Sequence, residues 1–251
     1  MLLNTQGLVL HTTKYGETSI IAKVFTRELG LRSYIVKGIR SATGRAKQNL
    51  MQPLTHLEMT VYDNPKKQLQ YIKEMHPAGP LAVGSDGVRM SLLFFMDEVL
   101  YKSLKEEEPN RGLFDYVVEE LNGMQGPKNE AREQSAFPIR FLLRTAHHLG
   151  IEPMDNYSQR EPLFNLKEGR FLSQPAPLGS AAAGDMDYYL DASASSHLHH
   201  CLESFHHQRP QPHLTSKQRS ATLNNLLEYY HVHLSDFKNF KSHEVLHAVL
   251  R

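Results

Sequence analysis

The first 80 residues alternate between apolar and polar positions with a period of two, the pattern of strands that bury one face. The pattern predicts five strands separated by turns: Gln6–Lys14, Ser19–Thr26, Leu31–Lys37, Leu57–Tyr62 and Gln68–Met75. Residues 38–51 are predicted to be irregular or to form a short helix. Five antiparallel strands with an insertion at this place fit a small Greek-key barrel of the OB type. An SH3-like barrel is the alternative, and periodicity alone does not separate the two.

After residue 80 the apolar positions repeat every 3.6 residues, which is the period of an amphipathic helix. Asn110 and the capping box Thr215–Gln218 mark two predicted helix starts, and Gly150 marks a helix end. Residues 174–185 are a loop by composition. The chain therefore divides into a barrel region and a helical region.

We expect an α+β multidomain fold, with an N-terminal five-stranded OB-type β-barrel in residues 1–80 and a mostly α-helical domain in residues 81–251. No apolar run approaches the roughly 18 residues that a membrane span needs. The N-terminal residues carry no basic leader and no small-residue cleavage site, so we expect no signal peptide. A single cysteine, Cys201, excludes an internal disulfide and is typical of the reducing cytoplasm.

Positive charge is concentrated in the barrel region. Residues 1–80 hold 11 Lys and Arg against 5 Asp and Glu, whereas the whole chain has a net charge of only +1. The helical region is therefore net acidic. A basic module within a nearly neutral protein indicates a polyanionic partner, most simply nucleic acid.

A groove that follows a nucleic-acid backbone needs several cations along one wall, with aromatic rings between them. Tyr15, Phe25 and Tyr34 are near enough in sequence to supply rings, unless they belong to the barrel core. Lys23 belongs to the same basic set. The candidate DNA-binding residues are Lys14, Arg27, Arg32, Lys37, Arg40, Arg45 and Lys47. The last four surround a glycine-bearing loop, from which flexible cations reach phosphates.

Histidines cluster near the C-terminus, where six of the 15 fall within seventeen residues: His197, His199, His200, His206, His207 and His213. Zinc prefers imidazole and thiolate ligands. However, these spacings match no zinc motif, and no H-E-x-x-H sequence occurs. We favour a solvent-facing helix and assign no metal site, and whether this segment binds a metal stays open.

Sequence motifs for catalysis are missing. Cys201 is not surrounded by a nucleophile elbow, and the chain has neither a G-x-x-x-x-G-K-[ST] loop nor a G-x-G-x-x-G motif. We therefore predict a protein that is not an enzyme and needs no cofactor. Two alternatives to DNA binding remain. One is an RNA-binding OB-fold protein of translation or RNA processing, and the other is a histidine-dependent metalloenzyme.

Three N-terminal segments carry a resemblance to a known family: GLVLHTTKYGETSII from Gly7, TRELG from Thr26 and VKGIRS from Val36. They resemble RecO, the bacterial recombination mediator family. The C-terminal stretch from Arg219 to Leu246 is similar to the last helices of that family. The resemblance spans nearly the whole chain, is most specific in the first 40 residues and is weak between about 100 and 210. It implies an OB barrel followed by a helical domain.

The resemblance implies a non-catalytic mediator of DNA repair and homologous recombination in the RecFOR pathway. Such proteins bind single- and double-stranded DNA, anneal complementary strands and, with RecR, promote RecA loading on DNA coated by the single-stranded-DNA-binding protein. Lys37 and Arg40 fall on the basic KG-x-R motif of the family. Arg140 matches a helix position that receives the C-terminal tail of the single-stranded-DNA-binding protein, with Arg144 one turn further on. The implied location is cytoplasmic and nucleoid-associated, without membrane contact.

Many members of that family carry a four-cysteine zinc module within the helical domain. The corresponding segment here, Pro162–Gln174, contains no cysteine. We therefore expect a degenerate hairpin near residues 160–175 without zinc. Apolar side chains are predicted to hold it: Leu163, Phe164, Leu166, Phe171 and Leu172.

Overall fold

The structure is a computed structural model that describes residues 1–39, 44–64, 66–79, 86–105, 108–124, 131–173 and 188–249. The chain forms two compact units, Met1–Lys128 and Asn129–Arg251. The change from strands to helices follows Pro77, and the first unit also takes in two helices. No helix in the ranges given above is long and apolar enough to cross a membrane.

Five strands form a closed barrel in the first unit: β1 (Leu2–Tyr15), β2 (Ser19–Thr26), β3 (Gly30–Val36), β4 (His56–Tyr62) and β5 (Leu69–Pro77). Their order around the barrel is β1-β2-β3-β5-β4, with the short helix α1 (Arg45–Asn49) between β3 and β4 in the chain. β1 pairs with both β2 and β4. This order is that of an OB-type barrel, so the predicted fold is confirmed. One detail differs, because β3 and β5 pair in parallel rather than antiparallel.

Two helices complete the first unit: α2 (Gly87–Ser103) and α3 (Arg111–Gly123). The side chain of Asn110 accepts the N–H of Leu113, as predicted for a helix N-cap. Alternation along β2 places Ala22 and Val24 in the barrel core and Phe25 on the opposite face. There the Phe25 ring meets the Phe114 ring of α3 edge-on, with centroids 5.5 Å apart. The end of β2 is therefore buried on both faces.

Gly30 fixes the turn between β2 and β3 against the segment that joins α2 to α3. Its φ of 71° lies in the left-handed region that favours glycine. A side chain at this position would also meet the backbone of Glu108 at 2.6 Å. The sequence predicted this turn from the tolerance of glycine for a positive φ. The structure shows that the close approach of the Glu108 backbone also requires glycine here.

His56 is expected to make the stability of the first unit depend on pH. It packs against the Phe114 ring, and burial lowers the pKa of His56 below its ordinary value of 6.5. The folded unit therefore binds fewer protons than the unfolded chain, so stability present above about pH 6.5 falls as the pH drops toward the lower folded pKa. Thermal unfolding of His56→Gln between about pH 8 and pH 5 should show a weaker pH dependence than the wild type. His76→Gln, at an exposed position on β5, is the control; equal pH dependence in wild type and His56→Gln would contradict the assignment.

The second unit consists of helices and one hairpin: α4 (Ala131–Leu149), β6 (Leu163–Asn165), β7 (Arg170–Leu172), α5 (Ala192–His206), α6 (Ser216–His233) and α7 (Ser242–Val249). The capping box of Thr215 and Gln218 opens α6, as predicted. Tyr230 is fully buried and donates its hydroxyl to the carbonyl of Leu142 on α4 at 2.6 Å. Tyr229, one position earlier, is also buried, so α6 packs over a wider face than the predicted stripe.

The hairpin of β6 and β7 lies within the segment for which the sequence predicts one. Phe164 and Phe171 face each other across the two strands, are fully buried, and meet edge to face with centroids 5.0 Å apart. The Asn156 side chain accepts the N–H of Phe171 at 2.8 Å and donates to its carbonyl at 2.9 Å. The hydroxyl of Ser195 on α5 accepts the N–H of Phe164 at 2.9 Å. Ring packing and side-chain hydrogen bonds therefore hold the hairpin in place.

Candidate nucleic-acid interface

A groove of about 750 Å³ lies on the barrel surface where β3, β4, β5 and α1 approach one another. The residues that line it include three lysines and two exposed tyrosines: Lys37, Lys47, Lys73, Tyr62 and Tyr71. Among the described residues that line it, Glu74 is the one acid. We call this feature the lysine–tyrosine groove. Its composition is what a site for a nucleic-acid backbone requires.

The parallel pairing of β3 and β5 brings two of the cations together. Ile35 lies opposite Tyr71 in the register, so Lys37 and Lys73, each two residues further along, extend on the same side. The Lys37 ammonium lies 5.2 Å from the centroid of the Tyr71 ring, a cation–π contact. Lys37 follows β3 directly and is therefore placed by the strand end rather than by the loop alone.

A β-bulge in β5 explains why Glu74 is exposed next to Lys73. Thr60 lies opposite Glu74 and Val61 opposite Ile72, which leaves Lys73 without a partner residue on β4. The bulge lets the consecutive residues Lys73 and Glu74 both be exposed, whereas strict alternation would turn one of them inward. Their side chains form an exposed ion pair at 3.7 Å, which contributes little to stability.

Tyr62 and Tyr71 lie directly opposite each other on β4 and β5. Opposed residues in antiparallel strands point to the same face, with Cβ atoms roughly 5 Å apart. The two residues are 47% and 38% exposed. Lys66 and Lys67 are exposed in the turn between these strands and extend the positive charge beyond the tyrosines.

Five of the seven sequence candidates fall into three groups in the structure. Lys37 and Lys47 line the groove. Lys14 is exposed near the end of β1, outside the described groove lining. Arg40 and the side chain of Arg45 lie outside the described residues. All five residues stay predicted DNA contacts. Lys37 and Lys47 line the same groove as Lys73.

Arg27, Arg32 and Lys23 already have partners within the first unit. Arg27 donates to both carboxylate oxygens of Asp115 on α3, with Nε–Oδ1 at 2.7 Å and Nη2–Oδ2 at 2.9 Å. This pairing raises the pKa of Arg27 above its ordinary value and lowers the pKa of Asp115. Arg32 donates to the carbonyl of Leu29 at 3.1 Å, and the Lys23 ammonium lies 5.8 Å from the ring centroid of Tyr101. Arg27 and Arg32 stay predicted DNA contacts. To bind a phosphate, each would have to give up its present hydrogen bonds or keep them while also contacting the phosphate.

The aromatic rings of the groove are not those that the sequence indicated. Phe25 and Tyr34 are 0% and 1% exposed and belong to the core, and Tyr15 is exposed near the β1–β2 turn. Burial raises the pKa of Tyr34 well above its ordinary value. Alternation shows which residues point outward but not which outward faces a helix covers. The sequence predicts a turn between Tyr62 and Tyr71 but not the register that places the two side by side.

Acidic residues of the barrel gather on a neighbouring face. A second hollow of about 660 Å³ is lined by polar side chains of β1 and β4, by Arg27 and by Glu28, Glu58 and Glu74. These are three of the five acids in residues 1–80. Glu74 lines both hollows, but among the described lining residues lysines outnumber it three to one in the lysine–tyrosine groove, whereas acids outnumber Arg27 three to one in the second hollow.

In the second unit, Arg140 and Arg144 lie one turn apart on α4, and each covers an aromatic ring. The Arg140 guanidinium carbon is 5.3 Å from the Phe137 ring centroid, and that of Arg144 is 4.8 Å from the Phe205 ring centroid. Phe137 and Phe205 are buried, at 4% and 8% exposure. The pair therefore places two guanidinium groups over rings of the apolar core.

The histidines of α5 serve mainly to join segments of the second unit. His199 contacts the Asp155 carboxylate at 2.8 Å and stacks on Tyr157 with centroids 4.3 Å apart. His197 contacts Gln218 of α6 at 3.0 Å. Both rings are half-buried, so the helix is less solvent-facing than predicted. Across the ranges that the structure describes, no three His, Cys, Asp or Glu residues are grouped so as to hold a metal ion.

Cys201 is fully buried on α5. Burial raises the pKa of its thiol to about 12, so the sulfur stays protonated at neutral pH. Because the thiolate is the reactive form of cysteine, this side chain is poorly suited to nucleophilic chemistry.

The barrel, its groove and the helices that follow define an OB-fold protein with a helical C-terminal region. Two family models match the chain, Recombination protein O N terminal over residues 1–81 and Recombination protein O C terminal over residues 84–156. The DNA repair protein RecO of Flavobacterium psychrophilum is 30% identical over 258 residues, which cover 99% of each chain. Those of Phocaeicola vulgatus and Azobacteroides pseudotrichonymphae are 30% and 26% identical, over 98% and 99% of each chain. The chain belongs to the RecO family, as its sequence predicted.

Proposed function

We propose that this protein is a non-catalytic mediator of DNA repair and homologous recombination, which binds DNA through its barrel region and anneals complementary strands. Its relatives are named DNA repair proteins, and both family models describe recombination proteins. The observation that carries the proposal is the lysine–tyrosine groove, which is lined by Lys37, Lys47 and Lys73.

Annealing needs no covalent step. The protein has to reduce the repulsion between two phosphate backbones while leaving the bases free to pair. Lysine ammonium groups act as mobile point charges without fixed geometry, so they bind phosphates regardless of sequence. Each phosphate contact on a single strand lowers log K by about 0.7 for every tenfold rise in salt. A groove open to solvent suits this task because it does not enclose the strand.

The second unit supports a further part of the proposal, which is binding of the acidic and apolar C-terminal tail of the single-stranded-DNA-binding protein. Arg140 and Arg144 would pair with tail carboxylates through guanidinium groups that lie over the Phe137 and Phe205 rings. Together with RecR, the protein would then promote RecA loading on DNA that this tail-bearing protein coats. Such a role places it in the cytoplasm at the nucleoid.

A strand-annealing assay tests the proposal, using complementary oligonucleotides that are either naked or coated with the cognate single-stranded-DNA-binding protein. We expect faster annealing of naked strands, and faster annealing of coated strands only when the coating protein keeps its C-terminal tail. The variant Arg140→Ala/Arg144→Ala should lose the second effect and keep the first.

No acceleration of naked strands at low salt would overturn the DNA-annealing role. Loss of both effects in the arginine variant would overturn the tail assignment. A competition between RNA and single-stranded DNA of one sequence addresses the RNA-binding alternative, since a clear preference for RNA would favour that role.

A further inference from the structure

Tyr62 and Tyr71 have no role in neutralising a phosphate backbone, yet both line the groove with large exposed surfaces. Their opposed positions on β4 and β5 fix them on one face of the barrel. Of the other outward rings of the barrel, Phe25 is covered by Phe114, and the exposed ring of His11 contacts Tyr101 of α2 with centroids 5.0 Å apart. Tyr15 is 47% exposed but does not line the groove. The exposed pair therefore lies on a face that α2 and α3 leave open at these positions.

We propose that Tyr62 and Tyr71 form a stacking site for unpaired bases, which makes the groove selective for single-stranded over double-stranded DNA. The inference rests on the proposed function, because it assigns a substrate class to the same groove. Every base has a flat face, so stacking on tyrosine binds a single strand without choosing its sequence. Bases in a duplex are already stacked on their neighbours and do not reach the rings.

The contact between Lys37 and Tyr71 gives the site its second element. In the free protein the ammonium lies over the ring, 5.2 Å from its centroid, where a base would stack. An arriving base takes that place, and the displaced ammonium remains beside the nucleotide whose base covers the ring. Lys37 then binds the phosphate of that nucleotide. Lys73, beyond Tyr71 on the same strand, is placed to hold a neighbouring phosphate.

Stacking and phosphate binding make separable contributions to affinity. The rings act on bases and hardly on the sugar-phosphate chain, whereas the lysines act on phosphates and hardly on bases. An oligomer of abasic deoxyribose phosphates keeps the backbone charge and removes the bases. Its affinity therefore reports the lysines alone, and the ratio of oligo-dT to abasic affinity reports the rings.

The experiment measures binding of labelled oligo-dT and of an abasic oligomer of equal length by fluorescence anisotropy, over a range of salt concentrations. We expect the wild type to prefer oligo-dT by at least about tenfold, since replacing a stacked ring costs about tenfold per base. Tyr62→Leu/Tyr71→Leu should lose this preference and bind the abasic strand like the wild type, with the same salt slope. Tyr62→Phe/Tyr71→Phe should keep the preference, because stacking needs the ring and not the hydroxyl.

Phe94→Leu is the matched control, because Phe94 is a ring of the first unit that is 50% exposed on α2 and does not line the groove. It should leave both affinities unchanged. Equal binding of oligo-dT and the abasic strand by the wild type would overturn the stacking site while leaving the DNA-binding function standing. Retention of the preference in the leucine variant would overturn it as well. Failure of the wild type to bind either strand at low salt would instead overturn the proposed function.

Discussion

Replacing Lys37, Lys47 and Lys73 together by alanine is expected to lower the affinity for single-stranded DNA roughly 100-fold at about 0.1 M salt. Each lysine that neutralises one phosphate contributes about 0.7 to the slope of log K against log salt, so the triple variant should lose about two units of slope. At this salt concentration, one contact corresponds to about fivefold in affinity. The loss should be the same for oligonucleotides of different sequence, because phosphates carry no sequence information.

A salt titration of the binding constant measures this effect directly. The matched control removes the same charge from exposed lysines of the second unit, in the variant Lys217→Ala/Lys238→Ala/Lys241→Ala. Glu74→Gln supplies a change of opposite sign, since it removes the acid from the groove and should raise affinity about threefold. Equal losses in the two triple variants would show that net charge, and not the lysine–tyrosine groove, governs binding.

Phe164→Ala is expected to destabilise the second unit by about 3–5 kcal/mol, since the ring is fully buried and alanine leaves a cavity. The Phe164 ring contacts Phe171 across the hairpin, and its centroid lies 6.0 Å from the ring centroid of Tyr229 on α6. Removing the Phe164 ring therefore weakens the packing of the hairpin against the helices. Chemical denaturation monitored by circular dichroism measures the loss. Leu163→Ala, at the neighbouring and partly exposed position, is the control and should cost about 1–2 kcal/mol.

The same experiment tests the prediction that the hairpin holds no zinc. Under that prediction a chelator leaves the denaturation curve of the wild type unchanged. A loss of stability on adding a chelator, or one tightly bound zinc per chain by metal analysis, would contradict the prediction. A metal ion, and not the phenylalanine packing, would then stabilise the hairpin.

The strands were predictable where alternation is uninterrupted. β2 has the bounds that the sequence indicates, because Ile20, Ala22 and Val24 alternate with outward residues along its whole length. β1 begins four residues earlier than predicted. There Leu2 is exposed and Thr5 is buried, which is the reverse of what their hydrophobicity suggests. Pairing with β4, and not the hydrophobic pattern, therefore determines where β1 begins.

The site was predictable only in part. Lys37 and Lys47 stand out in the sequence because they are cations near a glycine-bearing loop. Lys73 joins Lys37 in the groove because β3 and β5 pair in parallel, and the sequence predicted antiparallel strands. Tyr62 and Tyr71 become a pair only when β4 and β5 are in register.

The construction of the hairpin bears on how the protein withstands the conditions that damage DNA. Oxidants attack cysteine in its thiolate form, and modules that rely on cysteine ligands lose them when oxidised. Residues 160–175 contain no cysteine, and the one thiol of the chain, Cys201, is buried and protonated. Residues 160–175 offer peroxide no sulfur to oxidise, so we expect the phenylalanine-packed hairpin to keep its structure under oxidative stress that would disrupt a module held by cysteine ligands.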